Sequence, residues 1–257
     1  MEHNFSEKQI RYAELVGREK LYVLLDKEKF ESIPLTIRSY ATDAPDELLD
    51  SMSFVFNGQN GPLYIFSSEA AFMTGAVKLR SEGGRGREYR NFRVRPSRLF
   101  DRAVKLQTKD ICVDYGQPYS FTIKLTDLHE VARLSSVAAL ALLEKIFVLQ
   151  GKGGFVMPLE IDSKNYVVGF INAMDADDLI AKLGSERSQS RVEGNNIRKL
   201  AKNLLESDFA GLLMNPGTDA EFILDKEELR YLLLCVDVIC ASKPGTWEIL
   251  RGLFGKK

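Results

Sequence analysis

The chain contains a weak copy of itself. Glu19-Lys20-Leu21-Tyr22-Val23-Leu24 returns as Glu144-Lys145-Ile146-Phe147-Val148-Leu149, and Ile33-Pro34-Leu35-Thr36-Ile37 returns as Met157-Pro158-Leu159-Glu160-Ile161. Leu63-Tyr64-Ile65-Phe66-Ser67-Ser68 matches Val167-Val168-Gly169-Phe170-Ile171-Asn172, and Ile111-Cys112-Val113-Asp114-Tyr115-Gly116 matches Leu212-Leu213-Met214-Asn215-Pro216-Gly217. Further on, Phe121 pairs with Phe222 and Leu128 with Leu229. Four blocks in one order point to a supersecondary unit used twice. The spacing shortens by about twenty residues between Ile37 and Leu63, so the first copy carries an insertion at about 38–62. The expected organisation is a first copy over 1–137 with an N-terminal helix and that insertion, and a second over 138–257 with a helical tail. A chain of 257 residues suits two domains at ~150 residues each.

Local patterns predict what each unit is made of. Runs mixing β-branched and aromatic residues mark strands at 21–25, 54–57 and 63–66, and Asn57-Gly58-Gln59-Asn60-Gly61 signals a hairpin between the last two. A helix starts at Ser67 or Ser68 and runs to about Leu79, and another follows Pro96 over 97–107. Strands at 111–114 and 119–123 precede a helix capped by Thr126. Asn215-Pro216-Gly217 has the residue order of a type II turn, and Asp225 with Glu228 forms a capping-box start. The expected fold is α+β: two tandem copies of an antiparallel or mixed sheet with helices on one side.

Composition narrows the function. Lys+Arg is 35 against 36 Asp+Glu, which leaves no overall basic field for nucleic acid or anionic lipid. Cys112, Cys235 and Cys240 are three, an odd number, and residues 1–11 have no apolar core of a leader, so no secretory leader, free thiols and a cytoplasmic location are expected. The longest apolar stretch, 231–241, is broken by Asp237 and is far short of the ~20 residues of a membrane span, so no membrane association is expected. His3 and His129 are the only histidines, and no Cys/His spacing suits zinc. His129 reads as a surface residue near a helix start. Gly151-Lys152-Gly153-Gly154 lacks the phosphate-loop spacing and reads as a hairpin turn. Asp175, Asp177 and Asp178 read as a polar first turn of a helix. No catalytic residue, metal or cofactor is expected.

The opening strand, the Pro-Leu hairpin, the strand ending Phe66-Ser67-Ser68-Glu69, the following helix and strand, and Asn215-Pro216-Gly217 together resemble the N-terminal domain of the bacterial SseB family. The resemblance covers 20–134 and 145–234. It implies two tandem SseB-like domains in a bacterial protein. The family name implies a link to serine sensitivity or secretion, and the family implies no reaction.

Residues 78–102 carry nine Lys or Arg side chains, among them Arg85, Arg87, Arg90, Arg93, Arg95 and Arg98, against Glu82, Glu88 and Asp101. Gly83, Gly84 and Gly86 make the middle flexible, so 80–95 is expected to be the least ordered internal segment. Arginine forks interleaved with Tyr89 and Phe92 suit an acidic protein partner, a nucleic acid, or a solvated loop between helices. In the tail, Trp247, Leu250 and Phe254 share one helical face and are read as an interaction stripe. The leading expectation is a non-enzymatic interaction protein with a protein partner, a second copy of itself included. Two alternatives stay open: a nucleic-acid-associated module using 80–102, and a small-ligand sensor or enzyme with a site between the copies.

Overall fold

Short apolar runs and cap signals become short strands and helices. The computed structural model describes residues 5–32, 62–82, 88–108, 110–143, 145–151, 156–183, 191–218 and 220–241. The chain divides into two compact units, Leu15–Ser136 and Val137–Lys257, the latter counted with Met1–Glu14. In chain order the elements are α1 (Glu7–Val16), β1 (Leu21–Asp26), α2 (Lys27–Ser32), β2 (Leu63–Phe66), α3 (Glu69–Glu82), β3 (Tyr89–Val94), α4 (Pro96–Lys105), β4 (Ile111–Val113), β5 (Phe121–Ile123) and α5 (Leu125–Ala141). They continue as β6 (Ile146–Gln150), β7 (Pro158–Ile161), β8 (Lys164–Phe170), α6 (Ala173–Leu183), β9 (Arg191–Asn195), α7 (Ile197–Glu206), β10 (Gly211–Met214), β11 (Phe222–Asp225) and α8 (Lys226–Ala241).

Each unit has its own mixed sheet. The strand order is β3-β1-β2-β4-β5 in one and β9-β6-β8-β10-β11 in the other, where β7 also pairs with β8. The pairs β2–β4 and β8–β10 are parallel, and the other ladders are antiparallel. Tyr22 stands opposite Phe66 and Arg93, and Phe147 stands opposite Phe170 and Gly194. Val113 faces Ile65 and Phe121, while Met214 faces Gly169 and Phe222. The residues matched between the sequence blocks therefore hold matching registers in the two sheets.

The class is α+β, as the sequence implies, and the burial is fuller than a sheet with one covered face. β4 and β10 are buried at every residue, as are the last five residues of β8. Successive side chains point to opposite faces, so continuous burial means cover on both. Over one face of the first sheet, α3 packs Phe72 and Ala76 against Leu24 and Phe66, and the Phe66 and Phe72 rings meet edge to face at 5.7 Å. Over the second sheet, Ala176 of α6 packs against Leu149, Val168 and Phe170.

The turns after β4 and β10 explain why Asp114-Tyr115-Gly116 can stand where the other unit has Asn215-Pro216-Gly217. Asp114 and Asn215 adopt left-handed φ values of 51° and 49°, and Gly116 and Gly217 follow at 90° and 75°. Asp and Asn tolerate that region and carry a side-chain oxygen. The Asp114 carboxylate accepts from the Ser67 amide at 2.7 Å, and the Asn215 carbonyl oxygen accepts from the Ile171 amide at 3.0 Å. Each residue thereby ties a buried turn to the chain just past the neighbouring parallel strand. The capping box also forms: the Glu228 amide donates to Asp225 at 2.8 Å, and the Asp225 amide donates to Glu228 at 3.2 Å.

Two local expectations change. The stretch 78–102 is not one loop between helices, because residues 89–94 form β3 against β1. The helix expected after a Thr126 cap begins two residues earlier, at Leu125, so Thr126 lies within its first turn. The expected strand at 54–57, its hairpin and nearly all of the 38–62 insertion lie outside the described residues, as do residues 152–154 of the glycine turn and the tail from 242 onward. Antiparallel pairing of Gln150 with Val156 brackets that turn. No described helix is long and apolar enough to cross a membrane.

Candidate functional site: a groove between a helix and an edge strand

The first unit carries exposed apolar side chains beside the edge of its described sheet. Met73 and Val77, one turn apart on α3, are 58% and 61% exposed. Next to them the buried Phe72 and Ala76 reach the core. Together with Arg80 they form one wall of a groove of about 340 Å³, whose other wall is Tyr89, Arg90 and Asn91 of β3. Among the described residues β3 pairs with β1 alone and forms the edge of the described sheet.

The opposite flank of α3 is fastened. Gly75 sits so close to the turn after β4 that a Cβ there would lie 2.7 Å from the Tyr115 carbonyl oxygen and would overlap the Phe66 ring. One turn on, the Lys78 ammonium lies 4.7 Å from the Tyr115 ring centroid. The Tyr115 hydroxyl donates to the Glu82 carboxylate at 2.7 Å, and the Tyr64 ring meets Tyr115 edge-on at 5.3 Å. The hydrogen bond to Glu82 is the main reason the Tyr115 phenol is pushed up to about 12, with burial adding. Burial is the leading cause that raises Tyr64 and Cys112. The helix is thus held along its β4 side, and Met73 and Val77 look the other way, toward β3.

The groove carries positive charge. Arg80, Arg90 and Arg93 are exposed, and Arg93 lies 5.5 Å from the Tyr22 ring centroid. The nearby Glu88 carboxylate is committed to Lys27 at 2.7 Å. That hydrogen bond holds Glu88 below the usual carboxylate range, and Arg90 and Arg80 add to the effect.

Of the arginines singled out from sequence, Arg90 and Arg93 belong to this strand. Arg95 is the N-cap residue of α4 and Arg98 is half-buried on that helix. Arg85 and Arg87 lie outside the described residues, as do Trp247, Leu250 and Phe254. Sequence reasoning missed Met73, Val77 and Asn91. The available signal was the repeat: aligned through Val77-Lys78-Leu79 and Ala181-Lys182-Leu183, Met73 corresponds to Asp177 and Val77 to Ala181. An apolar pair in the first unit stands where the second has a carboxylate and an alanine.

Other candidate chemistry is sparse. His129 is exposed on α5, in keeping with a surface role. Cys112 and Cys235 are buried free thiols, Cys240 is exposed, and burial pushes Cys235 up to about 12. Among the described residues no group of three His, Cys, Asp or Glu is placed to hold a metal ion.

No family model and no curated protein matches the chain, so the SseB resemblance rests on the residues quoted for it. Among solved structures, Anabaena Tic22, described as a protein-transport protein, overlaps 79% of this chain and 88% of its own at 11% identity and a TM-score of 0.24.

Proposed function

We propose that the chain is a non-enzymatic interaction protein of the bacterial cytoplasm, made by tandem duplication of one SseB-like unit, in which the first copy carries the docking surface. The observation that supports it most is the groove of the first unit, where exposed Met73 and Val77 lie beside Arg80 and an edge strand. Exposed apolar side chains ringed by cations are the make-up of a protein-binding site rather than of a reaction centre. The matching strand orders support the duplication.

Site-specific photocrosslinking in cells tests this. A photoreactive side chain at Val77 is expected to capture a discrete protein, while one at Asp177 in the second unit captures none. Equal, diffuse labelling at both positions would defeat the reading. Capture of RNA at Val77, with retention on heparin that weakens as salt rises, would replace it with the nucleic-acid alternative.

A further inference from the structure

We infer that the β3 edge accepts an extended peptide segment, alternating acidic and apolar residues, as an added strand whose apolar side chains enter the groove against Met73 and Val77. This rests on the interaction-protein reading and goes beyond it by specifying the partner's chemistry and its mode of binding.

The main chain gives the first reason. The Lys27 amide donates to the Glu88 carbonyl at 2.8 Å, and Lys27 and Glu88 continue the β1–β3 register. In an antiparallel ladder, the residues that exchange both bonds with the neighbour alternate with residues whose main-chain groups point away. Glu88, Arg90, Phe92 and Val94 therefore turn toward β1, while Tyr89, Asn91 and Arg93 turn their N–H and C=O groups outward. Three outward residues in a row are a template for strand addition.

The side chains give the second. An added strand places every other residue on the face that α3 covers. There it meets the apolar wall formed by Met73, Val77 and Phe72. Cations along an edge also serve to discourage unwanted pairing. That role alone leaves unexplained two apolar side chains kept more than half exposed at the same place.

Charge gives the third. Arg80 and Arg90 line the groove, with the Arg90 side chain on the face of β3 where the acidic residues of the added strand would stand. Arg93 follows further along β3, and the Glu88 carboxylate beside the groove is already bound to Lys27. A basic segment is repelled and an acidic one attracted, which selects the partner.

The test uses the full chain and fluorescent ten-residue probes that alternate Glu with Val or Leu. Matched probes carry Lys in place of Glu, or N-methylated amides at alternate positions. The Glu probe is expected to bind, and both matched probes to bind at least about tenfold more weakly. Amide exchange at Tyr89, Asn91 and Arg93 should slow when the probe is bound. Asn91→Pro removes an outward N–H at an edge position where proline is tolerated, and Met73→Asp installs the residue found at the aligned place in the second unit; each should weaken binding about tenfold. Equal binding of the Lys and Glu probes, or binding that survives both N-methylation and Asn91→Pro, would overturn the inference. So would self-association of the chain that Asn91→Pro abolishes, because the occupant would then be a second copy. If the Val77 photocrosslink still captures a folded protein while no probe binds, the interaction reading stands and the added-strand inference falls.

Discussion

The two units have sheets of the same strand order and differ in what they show to solvent. Their strands run in the same order with matching registers, and the same kind of turn follows β4 and β10. Yet Gly75, pressed against the Tyr115 turn, aligns with Leu179, which packs into the core beside Phe170 and Ala176. Met73 and Val77 of the groove align with Asp177 and Ala181. The strand registers correspond while the α3 and α6 flanks differ. Sheet registers are constrained because a one-residue slip moves every side chain to the wrong face, and a helix flank at the surface has no such constraint.

That contrast can be tested from the core outward. Phe66→Ala and Phe170→Ala remove fully buried rings from equivalent places, and each should cost about 3–5 kcal/mol. Pulsed thiol labelling separates the two effects, because Cys112 lies in the first unit and Cys235 in the second, both buried, while exposed Cys240 labels throughout. A marked difference between the two costs would mean that the cores are less alike than their registers.

Gly75→Leu puts the second unit's residue into the first. The new side chain meets the Phe66 ring and the Tyr115 carbonyl, and the expected loss is about 3 kcal/mol, the upper end of ordinary overpacking. A near-neutral result in denaturant melts would show that α3 can slide off the turn.

Asp114→Ala and Asn215→Ala each leave a partly buried amide, of Ser67 or Ile171, without its acceptor, at about 1–3 kcal/mol. The exchanges Asp114→Asn and Asn215→Asp keep the acceptor oxygen and should cost less than the alanine changes at the same positions. If the exchanges prove as costly as the alanines, charge rather than the shared acceptor governs these turns.

The smallest effect separates the units by pH. Tyr115 has an ordinary value near 10 and is pushed up to about 12 in the fold. The folded state holds that proton more tightly, so the stabilisation is full below pH 10 and is lost as pH rises from 10 to 12. The second unit has Pro216 in that position. Tyr115→Phe should therefore flatten this alkaline loss for the first unit alone, and the late-ionising phenol should vanish from an absorbance titration. Persistence of that phenol in the variant would assign it elsewhere.

Much of the fold was legible because its determinants are local or repeated. The block around Leu21 recurs around Ile146, the hydrophobic run 63–66 forms β2, and Asp225 with Glu228 fixes the start of α8. β3 was missed because its cations and neighbouring glycines outweigh a short alternation. In Tyr89-Arg90-Asn91-Phe92-Arg93-Val94 only Phe92 and Val94 are buried, as suits an edge strand with one apolar face. The second sheet has β9 at the corresponding place, but Arg191-Val192-Glu193-Gly194-Asn195 shares no apolar pattern with β3, so the sequence blocks did not reveal either strand.

What the sequence determined by itself is the α+β content, the matching blocks at Leu21 and Ile146, the turn and cap chemistry, and the absence of an overall basic charge. These follow from periodicity, steric preference and composition, which act over a few residues or sum over the chain. The groove was decided only by tertiary structure. Met73 and Val77 read in sequence as ordinary helix residues, and Arg90 reads as one of many cations. They become one surface because Gly75 lets α3 close on the Tyr115 turn and because β3 joins the edge of β1. Close approach and strand pairing bring together residues distant along the chain, and no local pattern encodes which side chains such contacts leave uncovered.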